Sequence, residues 1–474
     1  MSSTSSRTAA PLGYLPQDWP PFPALVTLGL QHVLTMFPAT VLVAILTGFD
    51  VGVTLFASGL ATIVALLGSG MRIPLYYGSS FSYIAAVAAI VGAEGGGVRV
   101  AQGGIVATAA VSILAGLLIK WVGKNTLDKI LPPIVTGSVA IVIGISLAKA
   151  ALDMASVHWG VALFTLLMTV LFSVYLRGKG IVSMIPVLLG ALCGYVLAKI
   201  IEAGQLVATM GPAWSGLSFG DQLSVVFSNL FTAVRDARWV RVPAFSTPIF
   251  KWSAVLAIAP IAIATIPEST AHLYQISLYV DRLAEELGRK PLQIKNLIGL
   301  NLILDGIGDA INGFLGGCAG TNYGENNSLM AITRNYSCPS LIAAGVIAML
   351  LGFIGKLAAV VETLPTAVTG GLAIFLFGVI GLQGVALIQS EKVDLFDPRQ
   401  LAIGAVILVI GIGGSVFPDG LPIILPFLKA VFPKGLPAIA SSAVAGILLN
   451  IIFILFPVKE KKQSELLDSV FRMC

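Results

Sequence analysis

The sequence interrupts its apolar pattern at Tyr323-Gly324-Glu325-Asn326-Asn327-Ser328, a polar stretch that carries a carboxylate. Four glycines lie just upstream, within residues 313–320, and an apolar helical pattern resumes at Leu329. Because hydrocarbon cannot satisfy free backbone amides, a helix break at membrane depth is stable only where it lines a cavity inside the protein. A carboxylate at such a break predicts a binding site.

The composition is that of an integral membrane protein. Hydrophobic residues make up 57% of the chain, charged residues only 11%, and the mean hydropathy is +0.94. A soluble globular protein is far more polar. The apolar runs approach the roughly 20 residues that a helix needs to cross a bilayer, and they lack the alternating short strands of a porin-type barrel. We therefore expect an all-α polytopic membrane protein.

Neither the charge nor the motifs indicate an enzyme or a nucleic-acid partner. The net charge is +5, and the sequence has no long run of basic residues. It also has no HExxH motif, Walker loop, nucleophile elbow or zinc-ligand spacing. We expect no enzyme activity, no cofactor, no metal site and no binding of nucleic acid.

The apolar segments form two sets of seven, which predicts 14 transmembrane segments. Residues 24–200 contain the first set and residues 251–456 the second, and segments 3 and 10 are short and interrupted. Residues 201–250 are a more polar connection, and residues 1–23 and 457–474 are terminal tails. The predicted segments are 24–47, 52–68, 79–92, 103–119, 131–148, 159–176 and 181–200, then 252–275, 297–314, 326–332, 340–355, 364–383, 400–414 and 437–456.

The two sets are related as internal repeats. Residues 131–141 align without gaps to residues 364–374, beginning Leu-Pro in both. A weaker alignment sets residues 77–82 against residues 323–328, which places Ser79 opposite Glu325. Because each repeat has an odd number of segments, the second enters the membrane inverted relative to the first. Paired interruptions in inverted repeats are typical of the substrate site of a secondary transporter.

The distribution of lysine and arginine predicts a multi-pass protein of the cell membrane with both termini in the cytoplasm. Short loops on the N-terminal side are rich in these residues, and the opposite short loops contain few. The connection of residues 201–250, with Arg235, Arg238 and Arg241, would then be extracytoplasmic. It departs from the charge pattern, but long loops follow that rule poorly.

Polar residues within the apolar segments would converge if the repeats superpose. They are Gln31 and His32 in segment 1, residues 78–82 in segment 3, residues 267–272 in segment 8 and the opening stretch. Glu268 and His272 are four residues apart and therefore share a helical face. Short helices that begin near Phe81 and Asn326 would direct backbone N–H groups into the same space.

The predicted cavity suits a ligand edge with alternating N–H and C=O groups, such as a pyrimidine-dione. Two carboxylates and two backbone amides complement such an edge. Glu325 lies close to a helix start, where a carboxylate is stabilised, and Glu268 is the better candidate to carry a proton. The ring of Phe81 or Tyr323 could cover the face of the ligand.

Structural roles are alternatives for several of these residues. His32 could be a hydrogen-bond partner between helices, and Glu268 with His272 could be a buried pair that only holds helices together. Asp305 and Asp309 share one face of segment 9, near Lys295 and the predicted cytoplasmic edge. For these two we favour a structural network or a cytoplasmic gate over substrate binding.

The chain resembles the uracil permease branch of the nucleobase/ascorbate transporters, the nucleobase:cation symporter-2 family. The resemblance extends over essentially the whole chain. It rests on Gln31-His32, Gly78-Ser79-Ser80-Phe81, Glu268 with His272, and a signature of Glu325-Asn326 followed by Thr333-Arg334. Ser328 departs from the signature, which usually has glycine there.

The resemblance implies a core domain of residues 24–119 and 251–355 and a gate domain of residues 131–200 and 364–456. It also implies proton symport, elevator-like movement of the core, and a homodimer through the gate domains. Substrate contacts are implied for Glu268, Glu325, Phe81, Gly324 and Tyr323, proton coupling for Glu268 with His272, and a supporting polar network for Gln31, His32, Ser79, Asn326, Thr333 and Arg334.

We therefore expect a proton-coupled symporter that imports uracil or a close analogue. One alternative is a xanthine or uric acid permease of the same family. Another is an anion channel or exchanger on the same inverted-repeat plan, since helix N-termini alone can hold an anion. Two carboxylates argue against the anion alternative because they repel a negatively charged substrate.

Overall fold

The computed structural model describes residues 13–122, 129–176, 185–210, 216–417, 420–423 and 435–457, with residues 179, 182, 214 and 426. Most of the predicted tails, residues 1–12 and 458–474, lie outside the described residues. The first repeat contains α1 (Phe22–Thr47), α2 (Val51–Gly68), β1 (Tyr77–Ser79), a 3-10 turn (Phe81–Tyr83), α3 (Ile84–Gly92), α4 (Val98–Val122), α5 (Pro133–Ser146), α6 (Ala148–Ser156), α7 (Trp159–Tyr175) and α8 (Pro186–Met210).

The connection contains two short helices, and the second repeat follows it. The remaining elements are α9 (Phe219–Leu230), α10 (Thr232–Asp236), α11 (Trp252–Ile258), α12 (Ile261–Glu286), a 3-10 turn (Ile294–Leu297), α13 (Ile298–Leu315), β2 (Gly320–Asn322), α14 (Gly324–Thr333), α15 (Cys338–Gly352), α16 (Gly355–Glu362), α17 (Thr366–Ser390), α18 (Pro398–Leu408), a π-helical turn (Val409–Gly413) and α19 (Ala438–Leu455).

Each predicted apolar segment overlaps one of these helices. Within the described residues, eight helices are long and apolar enough to cross a membrane, and four more are apolar helices of 10–17 residues. Several boundaries differ from the prediction, and α12 and α17 run beyond their predicted ends, to Glu286 and Ser390. Helix α8 continues to Met210, into the predicted connection, and segment 8 is divided at Ala259–Pro260 into α11 and α12. The division follows from proline, which has no N–H for a helical hydrogen bond.

Two short strands correct the expectation of an all-α protein. Strands β1 and β2 pair antiparallel, with Tyr77 opposite Asn322, Gly78 opposite Thr321 and Ser79 opposite Gly320. All six strand residues are buried. Where the chain leaves the helical conformation, its backbone groups lose their helical partners, and pairing with the other interrupted segment satisfies them.

The structure confirms one repeat alignment and shifts the other. Helices α5 and α17 each begin directly after the second residue of the aligned stretch, Pro132 and Pro365. The strands, however, begin at Tyr77 and Gly320, and a helical turn follows at the fourth position after each (77 to 81, 320 to 324). By this framework Ser82, and not Ser79, is the counterpart of Glu325.

Glycines allow close contacts between helices of opposite repeats. Helix α2 packs on α15, and α13 packs on α4. A Cβ atom on Gly59 would lie 2.4 Å from the carbonyl oxygen of Gly345, and one on Gly116 would lie 2.6 Å from that of Gly299. Small residues at such crossings let helix backbones approach closely, which is how membrane helices associate. The two repeats are thus interleaved.

An extended segment precedes the first helix of each repeat and bonds to the opposite repeat. Before α1, the N–H of Tyr14 donates to the carbonyl of Arg334 (3.0 Å), and the N–H of Tyr336 donates to the carbonyl of Tyr14 (2.8 Å). Before α11, the N–H of Ile249 donates to the carbonyl of Arg99 (2.7 Å). The extended segment before α1 therefore bonds to the chain just after α14, and the one before α11 bonds to the chain after α3, at the start of α4.

Two apolar cores position these elements. The larger core includes residues of α1, α2, α4, α12, α13 and α15 and surrounds the paired strands. A second core lies between α5, α18 and α19. The ring of Phe81 packs edge to face against that of Phe377 in α17, with ring centroids 6.1 Å apart. The interrupted segment of the first repeat therefore contacts α17.

Candidate functional site

The candidate site lies where the two interrupted segments begin their helical turns. In the first segment, the Ser80 hydroxyl accepts a hydrogen bond from the N–H of Ser82 (3.3 Å) and caps the turn. In the second, Tyr323 precedes α14 without a capping side chain, and the Glu325 carboxylate lies beside its own backbone N–H. The first N–H groups of a helix lack helical partners, so α14 offers donors to a ligand.

The structure brings Glu268 and Glu325 together. The carboxyl group of Glu268, on α12, lies beside the Ser82 hydroxyl and within electrostatic range of the carboxylates of Glu325 and Asp305. Two carboxylates whose charges interact repel one another unless a proton or a hydrogen-bond donor lies between them. The arrangement is therefore suited to a ligand with two N–H groups or to a transported proton.

One face of α14 is open although the rest of the helix is buried. Glu325, Ser328 and Ile332 are exposed, and Asn326, Asn327 and the residues at 329–330 are buried. The three exposed residues follow helical spacing along one side. These three residues form an exposed stripe of α14 that starts at Glu325.

His272 links α12 to the start of α14. Its Nδ1 lies 2.7 Å from the carbonyl oxygen of Asn322. Since a carbonyl only accepts, Nδ1 carries the proton, and Nε2 of a neutral ring is left as an acceptor. A Cβ on Gly324 would lie 2.7 Å from that Nε2, so glycine at this position lets the imidazole reach the helix start.

Of the two predicted aromatic contacts, only Phe81 has a half-exposed ring. The Tyr323 ring is buried against Gly78, where a Cβ would lie 2.4 Å from it. Its hydroxyl lies 2.9 Å from the Thr40 hydroxyl and donates to the carbonyl of Ser79 (2.9 Å). The side chain of Tyr323 therefore joins the interrupted segments, and Phe81 is the more accessible of the two rings.

His32 and Asn326 form a buried contact between α1 and α14. The Nδ2 of Asn326 lies 3.1 Å from Nδ1 of His32 and donates to the carbonyl of His32 (3.2 Å). His32 is only 1% exposed, which agrees with the structural alternative given for it. The buried Oε1 of Gln31 and Oδ1 of Asn326 have no partner within the described part of the chain.

Thr333 and Arg334 lie apart from the other members of the predicted polar network. They stand at the opposite end of α14, about 14 Å from Gly324 at 1.5 Å per helical residue. The Thr333 hydroxyl donates to the carbonyl of Leu329 (2.9 Å), and Arg334 forms an ion pair with Glu286. A helix thus separates the two ends of the signature, and the grouping of Thr333 and Arg334 in one polar network with the others stays a prediction.

A polar cluster beside the site was not predicted as part of it. The Nδ2 of Asn322 lies 2.9 Å from the Ser269 hydroxyl, 3.2 Å from Oδ1 of Asn301 and 3.2 Å from Asp305. The Ser269 hydroxyl also donates to Asp305. The cluster is therefore the structural network that we favoured for Asp305, but it lies against β2 rather than near Lys295.

The signal for this cluster was weak in the sequence. Asn301 and Asp305 are four residues apart on α13, and Ser269 follows Glu268 directly, so their shared faces could be predicted. Their common partner, Asn322, lies in β2, and its position depends on strand pairing that hydropathy does not reveal.

Comparison with known families and proteins gives consistent matches. The sequence model of the Permease family matches residues 23–420. The chain is 37% identical to the uracil permease of Bacillus caldolyticus, with 92% of this chain and 93% of that protein covered. It is 33% identical to the uracil permease of Bacillus subtilis (strain 168), with 90% and 92% covered. These matches confirm the resemblance given by the signature.

Solved structures with the same fold are much more distant in sequence. The transmembrane domain of the cyanobacterial bicarbonate transporter BicA aligns with a TM-score of 0.53 at 16% identity, covering 83% of this chain and 96% of that one. The murine anion transporter Slc26a9 in its inward-facing state aligns with a TM-score of 0.54 at 11% identity, covering 97% and 75%. At these identities the likeness concerns the fold alone.

Proposed function

Because the chain belongs to the Permease family, we propose that it transports a nucleobase across the cell membrane, with uracil as the preferred substrate. It is a multi-pass membrane protein and a transporter rather than an enzyme. The substrate assignment is supported by relatives named uracil permease that align over most of both chains.

The observation that carries the proposal is that the carboxyl group of Glu268 lies within electrostatic range of Glu325, at the start of α14. The two N–H groups of uracil can donate to the two carboxylates, and its carbonyl oxygens can accept from the free N–H groups of the helix start. Phe81 covers one face of the ring, and Gly324 contributes backbone. Tyr323 supports this geometry from behind.

Proton coupling belongs to the same proposal. Glu268 holds the transported proton, which relieves its repulsion with Glu325 and lets both side chains face one substrate. His272, one helical turn along α12, is the neighbouring group of the proton pathway. Its ring joins Asn322 to the start of α14, so a change in its protonation reaches the helix that carries Glu325.

The transport movement is an elevator-like displacement of the core domain, residues 24–119 and 251–355, against the gate domain, residues 131–200 and 364–456. The contact between Phe81 and Phe377 lies on that boundary, and the open face of α14 supports access from one side of the membrane. Two protomers associate through their gate domains, and both termini lie in the cytoplasm.

Uptake by proteoliposomes tests this function. We expect radiolabelled uracil to accumulate when the pH gradient drives protons in the direction of uptake, and a protonophore to abolish accumulation. Glu325→Ala removes one of the two carboxylates and should reduce uptake at least about 100-fold, because hydrogen bonds to charged groups are the strong ones. The control is Ser442→Ala, which removes a buried hydroxyl in α19 that donates to the carbonyl of Ile439.

The same preparation separates the alternatives. Stronger inhibition by unlabelled xanthine or uric acid than by unlabelled uracil would indicate a purine substrate. Chloride or sulfate flux that is independent of nucleobase would indicate an anion transporter. Full uracil uptake by Glu325→Ala would refute the site while leaving the function intact.

A further inference from the structure

Asp309 of α13 joins the two interrupted segments through one oxygen atom. Its Oδ1 accepts a hydrogen bond from the Tyr77 hydroxyl (2.7 Å) and another from the N–H of Gly320 (2.9 Å). Tyr77 is the first residue of β1, and Gly320 is the first residue of β2. Asp309 is only 2% exposed, so water does not compete for these bonds.

The ring of Tyr77 is tightly enclosed on its way to Asp309. A Cβ atom on Gly308 or on Gly320 would lie 2.5 Å from carbon atoms of this ring. The backbone of Tyr77 is fixed as well, because its carbonyl accepts from the hydroxyl of Ser58 (2.6 Å) and its N–H donates to that of Thr62 (3.1 Å). Tyr77 is therefore a rigid connection between β1 and the carboxylate.

Strand β2 is held at both ends from the same helix. Asp309 bonds to its first residue, Gly320, and Asp305, one turn earlier on α13, bonds to the side chain of its last residue, Asn322. Helix α14 begins only two residues later, at Gly324. The position of a three-residue strand thus determines where the helix start and the carboxylate of Glu325 lie.

We propose that Asp309 is a positioning residue for the substrate site: by bonding Tyr77 and Gly320 at once, it fixes the distance between the helix starts at Phe81 and Gly324. This proposal rests on the proposed function, because it assumes that the substrate lies between those two starts. Asp309 itself does not touch the substrate. Substrate affinity nevertheless depends on it, since a ligand that bridges two helix starts binds best when they are already correctly spaced.

Three substitutions test the proposal. Asp309→Ala removes the shared acceptor, Tyr77→Phe removes one donor, and Asp309→Asn keeps a carbonyl oxygen that both donors can reach. We expect the Kd for uracil to rise about tenfold in Asp309→Ala and about fivefold in Tyr77→Phe, and to stay within about threefold in Asp309→Asn. Adding Tyr77→Phe to Asp309→Ala should have little further effect, because both changes remove the same bond.

Thermal unfolding of the ligand-free variants separates positioning from general stability. Ser442→Ala serves as the control for the loss of a buried polar group. A purely structural role predicts lower unfolding temperatures with an unchanged Kd in the folded protein, and that result would overturn the proposal. A raised Kd with rescue by Asp309→Asn supports it.

Hydrogen exchange of the ligand-free protein gives a readout that does not need the substrate. The amides of residues 320–327 should exchange about tenfold faster in Asp309→Ala than in the wild type and at nearly the wild-type rate in Asp309→Asn. If the wild type fails to bind uracil, the proposed function fails, and faster exchange in Asp309→Ala still supports the positioning role. Equal exchange rates in all variants refute it.

Discussion

The interrupted segment of the first repeat, Tyr77–Gly92, and that of the second, Gly320–Thr333, share a strand, one intervening residue and a helical start, yet they treat that start differently. In the first, the Ser80 hydroxyl caps the turn and Ser82 is neutral. In the second, the cap is absent and Glu325 supplies a carboxylate. The repeat thus builds the framework of the site, and the differences between its copies supply the charge.

The two segments also hold each other through a pair of tyrosines. The ring of Tyr77 crosses to Gly320 and its hydroxyl to Asp309, and the ring of Tyr323 crosses to Gly78 and its hydroxyl to the carbonyl of Ser79. One hydroxyl thus ends on a carboxylate and the other on neutral oxygens. The same kind of cross-link is thus made twice, once to a side-chain carboxyl group and once to a backbone carbonyl.

The largest expected difference is between the counterparts Glu325 and Ser82. Glu325→Gln removes the charge that receives a substrate N–H, and we expect uracil uptake to fall about 100-fold. Ser82→Ala removes one hydroxyl beside Glu268, and uptake should stay within about fivefold of the wild type. Initial rates at matched protein amounts provide the measurement. Equal losses of uptake in the two variants would show that the two positions do not differ in their contribution to transport.

A smaller difference is expected between Gly78→Ala and Gly324→Ala. The new methyl group of Gly78→Ala meets a buried ring that is fixed by hydrogen bonds, which should lower the free energy of unfolding by about 1–3 kcal/mol. In Gly324→Ala the methyl group meets the His272 imidazole, which can turn away. That variant should lose less stability but bind uracil about tenfold more weakly.

Thermal unfolding and uracil titration of the two glycine variants check this pattern. The opposite pattern, in which Gly324→Ala unfolds more easily but keeps its affinity, would place His272 outside the ligand's surroundings. A loss of stability in Gly78→Ala that Tyr323→Leu removes would identify the ring as the source of the strain.

The smallest effect is expected at Ser328, on the exposed stripe of α14. Its hydroxyl donates to the carbonyl of Gly324 (3.1 Å). Ser328→Ala removes this bond and keeps Cβ, and Ser328→Gly removes both. We expect only Ser328→Gly to change selectivity, by improving the binding of thymine relative to uracil about fivefold, since a methylene group is worth about 1 kcal/mol in a pocket. Competition assays on both variants provide the test, and an unchanged ratio in Ser328→Gly would place residue 328 beyond the ligand's reach.

Much of the architecture follows from hydropathy, because a membrane requires long apolar helices and tolerates interruptions only in protein-lined spaces. The predicted segments and the interrupted pair were accessible in this way. The alignment of Tyr77 with Tyr323, in contrast, does not match their positions relative to the strands. Tyr77 starts β1 whereas Tyr323 follows β2, so the shared Tyr-Gly reflects two reciprocal contacts made from different positions.

Distance along the sequence was also a poor guide to distance in the structure, in two cases. Thr333 and Arg334 belong to the same signature as Glu325, but a helix of ten residues carries them to the other end. Asp305 and Asp309 looked like residues of a membrane edge because Lys295 precedes them. They contact β2 instead, since they lie 10 and 14 residues beyond Lys295, about three and four helical turns, at the level of the strands.

The extended segment before α1 has a consequence for the synthesis of the protein. Tyr14 is synthesised long before its backbone partners, Arg334 and Tyr336, which lie more than 300 residues further along the chain. The contact between Tyr323 and Ser79 spans 244 residues in the same way. The first repeat is therefore inserted into the membrane before the second repeat is available to pair with its interrupted segment. Insertion and folding are thus separate stages in time.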